Sequence, residues 1–318
     1  MHINKLHCPT LNCPPSKKYF KRGHFYVKRM NRYYQKFQCP NCKKIFSHRT
    51  YKLDRYHKKR DLNLQLAQLL TEGVTLRGAS RILNLSYSNT YKKFIWLQKW
   101  TKQKMQQIDL PSVKLQIDEM ETIHHTKCKP LSICLIVNEK HQLVSANVAE
   151  IPAKGLLAAI SRAKYGIRKN NRMEIIQETL TQAAFRTKNT AALIESDAAA
   201  TYRGSIQKTL GNIMYQRHQR KKNPKVRELL FNNTEKRQFD PLFAVNHQCA
   251  RLRSQIKRLA RRSWCTTKKV ENLQAHLDLF LMMQTGLGSG NKKRASARRP
   301  FRFALFKGSV YWRNSAPH

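Results

Sequence analysis

Acidic residues are scarce in this chain: 18 Asp and Glu stand against 62 Lys and Arg, which gives a formal net charge of +44. A basic chain whose lysines and arginines only cover a solvated surface normally carries matching acids, and these are missing. The positive charge also runs through the whole sequence and is not confined to a tail. We therefore expect a nucleic-acid-binding protein that contacts phosphate with several surfaces.

Long apolar runs are also absent, because no stretch approaches the ~20 residues that span a bilayer. The N-terminus lacks the apolar segment of a signal peptide. These features predict a cytoplasmic protein without a membrane partner. The length of 318 residues and the hydrophobic fraction of 41% allow one sizeable domain and one or two small ones.

Half of the cysteines lie near the N-terminus in two pairs, Cys8 with Cys13 and Cys39 with Cys42. Two pairs of closely spaced thiolates can complete one tetrahedral Zn²⁺ site, so we predict a zinc ribbon over residues 1–50. The segment between the pairs alternates in the manner of a hairpin strand, and so short a unit needs the ion for its folding energy. The alternative, two disulfides, requires an oxidising compartment. We interpret the other cysteines as ordinary core residues: Cys128, Cys134, Cys249 and Cys265.

Three short helices are predicted within residues 51–105. Apolar side chains recur at helical spacing over 62–72, 76–84 and 86–100, and Thr75 can cap the second helix. A tight turn before the third helix is typical of a helix-turn-helix, although a plain helical bundle gives the same pattern. In a helix-turn-helix, five residues of the third helix would face the DNA groove: Tyr87, Asn89, Thr90, Lys92 and Lys93.

The composition changes after Pro111, and residues 112–284 show a mixed α/β pattern of ribonuclease-H-like type, with three strands followed by alternating helices and strands. The predicted strands are 113–118, 131–138, 143–149, 191–195 and 213–216, and the predicted helices are 155–165, 174–186, 202–210, 242–264 and 271–284. A loop over His124–Pro130 separates the first two strands. Residues 217–241 form a basic loop, and we assign no fold to the basic tail over residues 285–318.

Acidic residues gather in one stretch, Lys114-Leu-Gln-Ile-Asp-Glu-Met-Glu121. Asp118 ends the first predicted strand and Asp197 follows the fourth, and the predicted sheet makes these two strands neighbours. Carboxylates at neighbouring strand ends can bridge two Mg²⁺ ions, which activate a water or a 3′-hydroxyl for in-line attack on phosphorus. We therefore predict a metal-dependent nuclease-like site with Asp118 and Asp197 as Mg²⁺ ligands. An alternative role for Asp197 is a helix N-cap, since three alanines follow it.

A third ligand is expected from the helix after the basic loop. Its first turns carry no acid, so we assign the position to Asn246, with His247 assisting through a ring nitrogen. The nearest upstream carboxylate is Asp240, in a loop before Pro241. Further along this helix, a set of basic residues is predicted to contact DNA phosphates: Arg253, Lys257, Arg258, Arg261 and Arg262.

Motifs in both halves of the chain point to one family. The N-terminal motifs are Cys39-Pro-Asn-Cys-Lys-Lys-Ile-Phe46 and Gly73-Val-Thr-Leu-Arg-Gly-Ala-Ser-Arg-Ile-Leu83. The C-terminal motifs are Ile117-Asp118-Glu119, Leu252-Arg-Ser-Gln-Ile-Lys-Arg-Leu-Ala-Arg-Arg262 and Trp264-Cys265. Together they resemble the transposases of the bacterial insertion-sequence-one family, over roughly residues 1–284.

This resemblance implies a DDE-type transposase that binds double-stranded DNA at terminal inverted repeats and carries out strand cleavage and strand transfer. It also implies a homo-oligomer on DNA, in the bacterial nucleoid. By position, Asp118 and Asp197 match the family's two aspartates, and Asn246 stands where the family has a glutamate. Two other readings stay open: a catalytically inactive, transposase-derived, sequence-specific DNA-binding protein, and an RNA-binding zinc-ribbon protein.

Overall fold

A computed structural model describes residues 6–28, 31–52, 54–55, 57–211, 213–219, 240–261 and 264–286. It contains a small N-terminal antiparallel sheet, a group of three helices, and a five-stranded mixed sheet with helices. The predicted multidomain α/β organisation with a small β unit at the N-terminus is confirmed at this level. Most of the predicted basic loop and nearly all of the predicted basic tail lie outside the described residues.

The N-terminal sheet consists of β1 (Phe20–Val27), β2 (Arg32–Gln38) and β3 (Ile45–Phe46), paired antiparallel in that order. The hairpin predicted between the two cysteine pairs is therefore confirmed. β1 carries a bulge between Lys21 and His24, where Gly23 has a φ of +66°. A residue without a Cβ adopts this left-handed conformation at little cost.

The three helices are α1 (Leu62–Thr71), α2 (Leu76–Ile82) and α3 (Tyr87–Met105). Thr75 caps α2 as predicted, because its hydroxyl accepts the Gly78 amide hydrogen at 3.0 Å. Ser86 accepts the Asn89 amide hydrogen at 3.3 Å and caps α3 in the same way. α3 runs five residues beyond its predicted end, since Thr101 and Met105 are buried and extend its inner face.

The central sheet has the order β6-β5-β4-β7-β8. Its strands are β4 (Lys114–His124), β5 (Thr126–Asn138), β6 (Leu143–Glu150), β7 (Leu193–Asp197) and β8 (Met214–His218). The first three strands along the chain pair antiparallel, whereas β7 runs parallel to β4 and β8 runs parallel to β7. Two strands that are far apart in the sequence, β4 and β7, therefore lie side by side in the sheet.

The predicted loop over His124–Pro130 is wrong. β4 and β5 continue as a long hairpin that turns at His125, which has a φ of +67°. Thr122 pairs with the buried Leu131, and Ile123 pairs with Pro130 beyond the buried part of the sheet. The apolar pattern in the sequence marks only the buried part of a strand, while backbone pairing extends further.

Two helical layers cover the central sheet, with α5 (Arg172–Thr187) and α6 (Thr201–Leu210) on one face. The other face packs against α7 (Phe243–Gln255) and α8 (Val270–Gln284). A shorter helix, α4 (Leu157–Tyr165), follows β6. Alternation along β4 directs Leu115 and Ile117 to the first layer and leaves Gln116, Asp118 and Met120 for the second.

α7 ends earlier than predicted, so a continuous helix over 242–264 is wrong. Ile256 leaves the helical conformation, with φ −110° and ψ 103°, and a single 3₁₀ turn follows at Lys257–Leu259. Ile256 and Leu259 nevertheless lie in the core that holds Leu252.

α8 belongs to two cores at once. Its Leu273, Leu277 and Phe280 pack on the central sheet. Its other side, with Ala275, Leu279 and Met282, packs among the helices of residues 62–105. In the part of the chain that the structure describes, no helix combines the length and apolar character that crossing a bilayer requires.

Candidate functional site

Four cysteine side chains converge beside the N-terminal sheet. The Sγ atoms of Cys8 and Cys42 lie 3.4 Å apart, those of Cys13 and Cys39 lie 3.6 Å apart, and all four fall within 4.8 Å of one another. A tetrahedral ion with Zn–S bonds of about 2.3 Å places its sulfurs about 3.8 Å apart. The four thiols therefore fit a single zinc ion, as the sequence predicted.

The loop around Cys42 is shaped to present sulfur. Lys43 adopts a φ of +58°, and its amide donates to the Cys39 carbonyl at 3.0 Å, which closes a tight turn. The Thr10 hydroxyl lies 3.5 Å from the Cys42 sulfur. This hydroxyl, together with the Lys44 amide, lowers the pKa of Cys42 to about 6 and so favours the thiolate, the form that binds metal.

The two aspartates lie side by side on neighbouring strands. Pairing between β4 and β7 ends at Ile117 with Ser196, so the next residues in register are Asp118 and Asp197. Adjacent strands are about 4.8 Å apart, and residues in register project to the same face. The prediction that Asp118 ends its strand is wrong, because β4 continues to His124; it is β7, its parallel neighbour, that ends here.

Asp118 lies in an environment that disfavours its charge. Burial, followed by the negative charges of Asp197 and Glu119, raises its pKa to about 6. The Glu119 amide, which donates to Asp118 Oδ1 at 2.7 Å, and the nearby Arg253 act in the opposite direction. A buried carboxylate that lies near a second one is stabilised in its charged form by a bound cation.

Asp197 is exposed and is not a helix N-cap. Its Oδ1 accepts the Ala199 amide hydrogen at 3.1 Å, and α6 begins only at Thr201. In the β7–β8 pair, Asp197 is in register with His218. His218 Nε2 lies 3.3 Å from Glu195 Oε1, so an imidazole stands at the same sheet edge.

Gln116 joins this edge to the start of α7. Its side-chain nitrogen donates to Glu195 at 2.8 Å and to the Pro241 carbonyl at 2.6 Å, and its oxygen accepts the Val245 amide hydrogen at 3.1 Å. Glu195 is only 4% exposed and also pairs with Lys114 at 2.9 Å. Hydrogen bonds from Gln116 on β4 thus fix the first turn of α7 against the sheet.

Sequence reasoning missed Gln116, Glu195 and His218, yet a signal for two of them exists. A buried-type polar residue stands two positions before each aspartate, in Gln116-Ile-Asp118 and in Glu195-Ser-Asp197. Since side chains alternate along a strand, residues two apart share a face. A polar pair on one face of an otherwise apolar strand therefore marks the same site as the aspartates.

Asn246 and His247 occupy the exposed side of the first turns of α7. Asn246 Nδ2 donates to Asp240 Oδ2 at 2.7 Å, so the amide and the nearest upstream carboxylate are partners. Asn246 precedes Arg253 by seven residues, about two turns, and therefore lies on the same stripe of the helix. Arg253 is close enough to Asp118 to lower its pKa, whereas a role of Asn246 beside the two aspartates stays a prediction.

His247 packs against other rings. It stacks on Phe243 with ring centroids 5.7 Å apart and meets His141 of the β5–β6 turn at 5.8 Å. Partial burial, and then the charges of Arg251 and His141, lower the pKa of His247. These contacts direct the ring toward the β5–β6 turn, and a role beside Asp118 and Asp197 stays a prediction.

Glu119 belongs to the opposite face of β4. Arg172 Nε donates to both of its carboxylate oxygens at 2.8 and 2.9 Å, and the Tyr202 hydroxyl lies 3.3 Å from Oε2. The Ser132 hydroxyl donates to it at 2.8 Å. Glu119 therefore joins β4 to α5 and α6, away from Asp118.

Two of the five residues expected to face a DNA groove are buried, so their predicted exposure is wrong. Thr90 is 0% exposed and donates to the Ser86 carbonyl at 3.1 Å. Lys93 is 5% exposed, and its ammonium donates to Asn63 Oδ1 at 2.7 Å and to the carbonyls of two linker residues. Both side chains follow the inner stripe of α3, beside Phe94. Three members of the set remain exposed: Tyr87, Asn89 and Lys92.

The basic residues after Arg251 do not form one helical stripe, because α7 ends at Gln255. Arg253 lies on α7, Lys257 and Arg258 on the 3₁₀ turn, and Arg261 beyond it. Lys257 and Arg261 are exposed, whereas Arg253 and Arg258 are half-buried. Arg262 lies outside the described residues, and phosphate contact by this set stays a prediction.

Comparison with known proteins adds little to this geometry. No family model matches the chain, and no curated protein matches it. A solved structure of a simian T-cell lymphotropic virus intasome in complex with the PP2A regulatory subunit B56 gamma is 12% identical, and the match covers 67% of this chain and 72% of that chain. The TM-score is 0.20, a value too low to carry an argument about fold or function.

Proposed function

We propose that this chain is a DNA transposase of a bacterial insertion sequence, with Asp118, Asp197 and Asn246 at its catalytic site. The observation that carries the proposal is the register of β4 and β7. It sets Asp118 beside Asp197 on the sheet face that α7 covers, at the point where parallel pairing stops. Two of the motifs that resemble the insertion-sequence-one family lie nearby: Ile117-Asp118-Glu119 is in β4, and the motif that starts at Leu252 begins in α7.

The strand order supports a ribonuclease-H-like catalytic unit over residues 112–284. Numbered along the chain within this unit, the five strands have the order 3-2-1-4-5, with three antiparallel strands followed by two parallel ones. Helices cover both faces. In open sheets with parallel strands, sites form at the carboxyl ends of those strands, which is where Asp197 lies.

The donor set fits Mg²⁺, which prefers carboxylate oxygens and keeps positions for water and phosphate. Asp118 and Asp197 would hold the ion, and it would supply charge neutralisation at the attacked phosphate and an activated oxygen nucleophile. Asp118 must lose its proton to act as a ligand, and its pKa of about 6 makes this possible at neutral pH. Arg253 borders the same site and would bind a phosphate of the DNA.

Recognition of the element ends would fall to the N-terminal units. Tyr87, Asn89 and Lys92 are exposed at the start of α3, where a helix-turn-helix contacts base edges. The zinc ribbon adds a basic surface without acids. We infer double-stranded DNA as the partner and a homo-oligomer on DNA as the active form, since both element ends must be brought together.

A second candidate is a catalytically inactive DNA-binding protein derived from such a transposase. One observation favours it: position 246, where the family has a glutamate, is an asparagine, and its uncharged amide neutralises less of a metal ion's charge than a carboxylate does. In this reading the nuclease-like sheet only supports the DNA-binding units.

The two candidates differ in strand cleavage. The substrate is a supercoiled plasmid that carries the gene with its native flanking DNA, incubated with the purified chain and Mg²⁺. We expect nicks that map to the element ends and disappear in Asp118→Asn and Asp197→Asn. The matched control is Glu121→Gln on the same strand, an exposed acid paired with Lys154, which should cleave normally. Full cleavage by both aspartate variants would refute the assigned site.

A further inference from the structure

Two tyrosines form an exposed ring pair on the hairpin of the zinc ribbon. Tyr26 and Tyr33 are cross-strand partners, 46% and 68% exposed. Their ring centroids are 4.9 Å apart, with an interplanar angle of 45°. The Tyr26 hydroxyl donates to Asn31 Oδ1 at 2.6 Å, which fixes one ring edge at the tip of the hairpin.

The opposite face of the same hairpin carries a second ring pair, which is covered by cationic side chains. Phe25 and Tyr34 are half-buried, and cationic side chains cover their faces at 5.4 to 5.9 Å: Arg32 and Arg49 lie over Tyr34, and Lys36 lies over Phe25. Within residues 6–28 and 31–52, no cation is found over Tyr26 or Tyr33. Both rings therefore present accessible surface among the described residues of the ribbon.

A cross-strand aromatic pair also stabilises a hairpin. That role involves only the ring faces that meet across the strands. It does not account for the exposed aromatic surface of Tyr26 and Tyr33, whereas the rings on the opposite face of the hairpin are covered.

The charge around the pair selects a polyanion as the partner. No Asp or Glu occurs before Asp54, while Lys and Arg recur along the whole ribbon. Lys21, Arg22 and Lys28 are exposed on β1 or directly after it. A partner that offers both negative charge and flat aromatic faces is a nucleic acid.

The ring faces further select unpaired bases. In a duplex the faces of each base are covered by its neighbours, and only base edges are open in the grooves. A tyrosine face can stack only on a base that has left the stack. We propose that Tyr26 and Tyr33 form a stacking platform for unpaired bases of single-stranded DNA, with the ribbon's lysines and arginines along its phosphates. The choice of DNA over RNA rests on the proposed function.

The test compares single-stranded and duplex DNA on the zinc-loaded full chain. Fluorescence anisotropy would follow binding of a labelled oligothymidylate, a duplex of the same length, and an oligouridylate. The variants are Tyr26→Leu/Tyr33→Leu, which keeps apolar bulk but removes the ring faces, and Tyr26→Phe/Tyr33→Phe, which restores them. Phe20→Leu, at a 57% exposed aromatic residue on β1, is the matched control.

We expect the double leucine variant to lose about tenfold or more in affinity for oligothymidylate, the effect of removing one base–aromatic stack. Duplex affinity and zinc content should stay unchanged, and the phenylalanine variant and the Phe20→Leu control should bind like the parent chain. Equal losses on single strand and duplex, no loss on either, or tighter binding of the oligouridylate would overturn the proposal. Failure of plasmid cleavage with this binding pattern intact would reject the transposase activity and leave the platform standing.

Discussion

The Gln116 side-chain oxygen accepts the Val245 amide hydrogen at 3.1 Å, across 129 residues of sequence. The amides of a helix's first turn have no partner inside the helix, and Leu242, at the N-cap of α7, makes no side-chain cap. A strand residue two positions from Asp118 therefore caps the helix that carries Asn246. Because Gln116 also donates to Glu195, one amide group joins β4, β7 and α7.

Gln116→Leu should destabilise the chain by about 2–3 kcal/mol, because it leaves the Val245 amide and the buried Glu195 carboxylate each short of a partner. Urea unfolding followed by circular dichroism would measure the loss. Gln216→Leu, an exposed glutamine on β8, is the matched control and should change stability by no more than about 0.5 kcal/mol. A Gln116→Leu variant as stable as this control would show that the cap contributes nothing.

Two buried groups on α8 should change the pH dependence of the unfolding free energy in opposite directions. Burial, assisted by Arg258, lowers the pKa of His276 to about 3, whereas burial raises the pKa of Asp278 to about 6. Below about pH 6.5 the unfolded chain protonates His276 and the folded chain does not, so this group costs stability as the pH falls, about 1.4 kcal/mol per unit. Asp278 acts in the opposite direction, since its folded form takes up a proton first as the pH falls.

His276→Gln should therefore lose about 2 kcal/mol less stability than the parent between pH 7 and pH 5. Asp278→Asn should lose more stability than the parent chain between pH 7 and pH 5. Unfolding free energies at both pH values give each difference, and a constant packing cost of the substitution cancels. Identical pH slopes in all three proteins would contradict the assigned protonation states.

Zinc removal should unfold the ribbon selectively. Cys39→Ser, or treatment with a strong chelator, should release one zinc ion per chain and abolish the β1–β2 hairpin, since so small a unit lacks a core of its own. The helical signal and the central sheet should persist, and DNA affinity should fall. Cys128→Ser, at a thiol outside the cluster, should keep its zinc. Metal analysis together with hydrogen exchange of the amides would report both properties, and an intact hairpin without zinc would argue against the metal's folding role.

The exposed start of α3 should carry sequence preference. Asn89→Ala/Lys92→Ala should reduce discrimination between a duplex with the element's terminal repeat and a scrambled duplex by about 1–3 kcal/mol. Lys102→Ala, exposed near the other end of α3, should keep the preference. Competition binding would measure both, and unchanged discrimination in the double variant would remove α3 as the reader.

Arg258 and Arg261 should affect affinity but not sequence preference, unlike the residues of α3, because contacts to phosphate do not depend on the base sequence. Replacing both with alanine should weaken binding to the repeat and the scrambled duplex by the same factor. The slope of log affinity against log salt should fall by about 1 for each phosphate that the variant no longer neutralises. A changed sequence preference would instead mean that this segment reaches the bases.

Much of the fold was predictable where one periodicity dominates a segment. α5 and α8 fall within a few residues of their predicted bounds, since a regular apolar face fixes each of them. The neighbouring positions of the strands that carry Asp118 and Asp197 followed from the order of elements. The cysteine spacing likewise predicted the cluster that the structure shows.

The predictions that were wrong or missing concern features that depend on contacts between distant parts of the sequence. Lys93 looks like a surface residue, yet carbonyls 34 and 35 residues away satisfy its buried ammonium. The end of α7 at Gln255 has no mark in the local sequence either, since Leu252, Ile256 and Leu259 keep helical spacing across it. Gln116 was overlooked because its partners, Glu195 and Val245, lie 79 and 129 residues along the chain.

The central claim is that Asp118 and Asp197 together hold a divalent cation. A crystal structure of the zinc-loaded chain grown with Mn²⁺, with anomalous scattering recorded on both sides of the manganese edge, tests it most directly. We predict a manganese peak between the two carboxylates that is absent from Asp118→Asn crystals, together with a separate zinc peak among the four cysteines. A manganese-free sheet edge, or a peak that persists in Asp118→Asn, would contradict it.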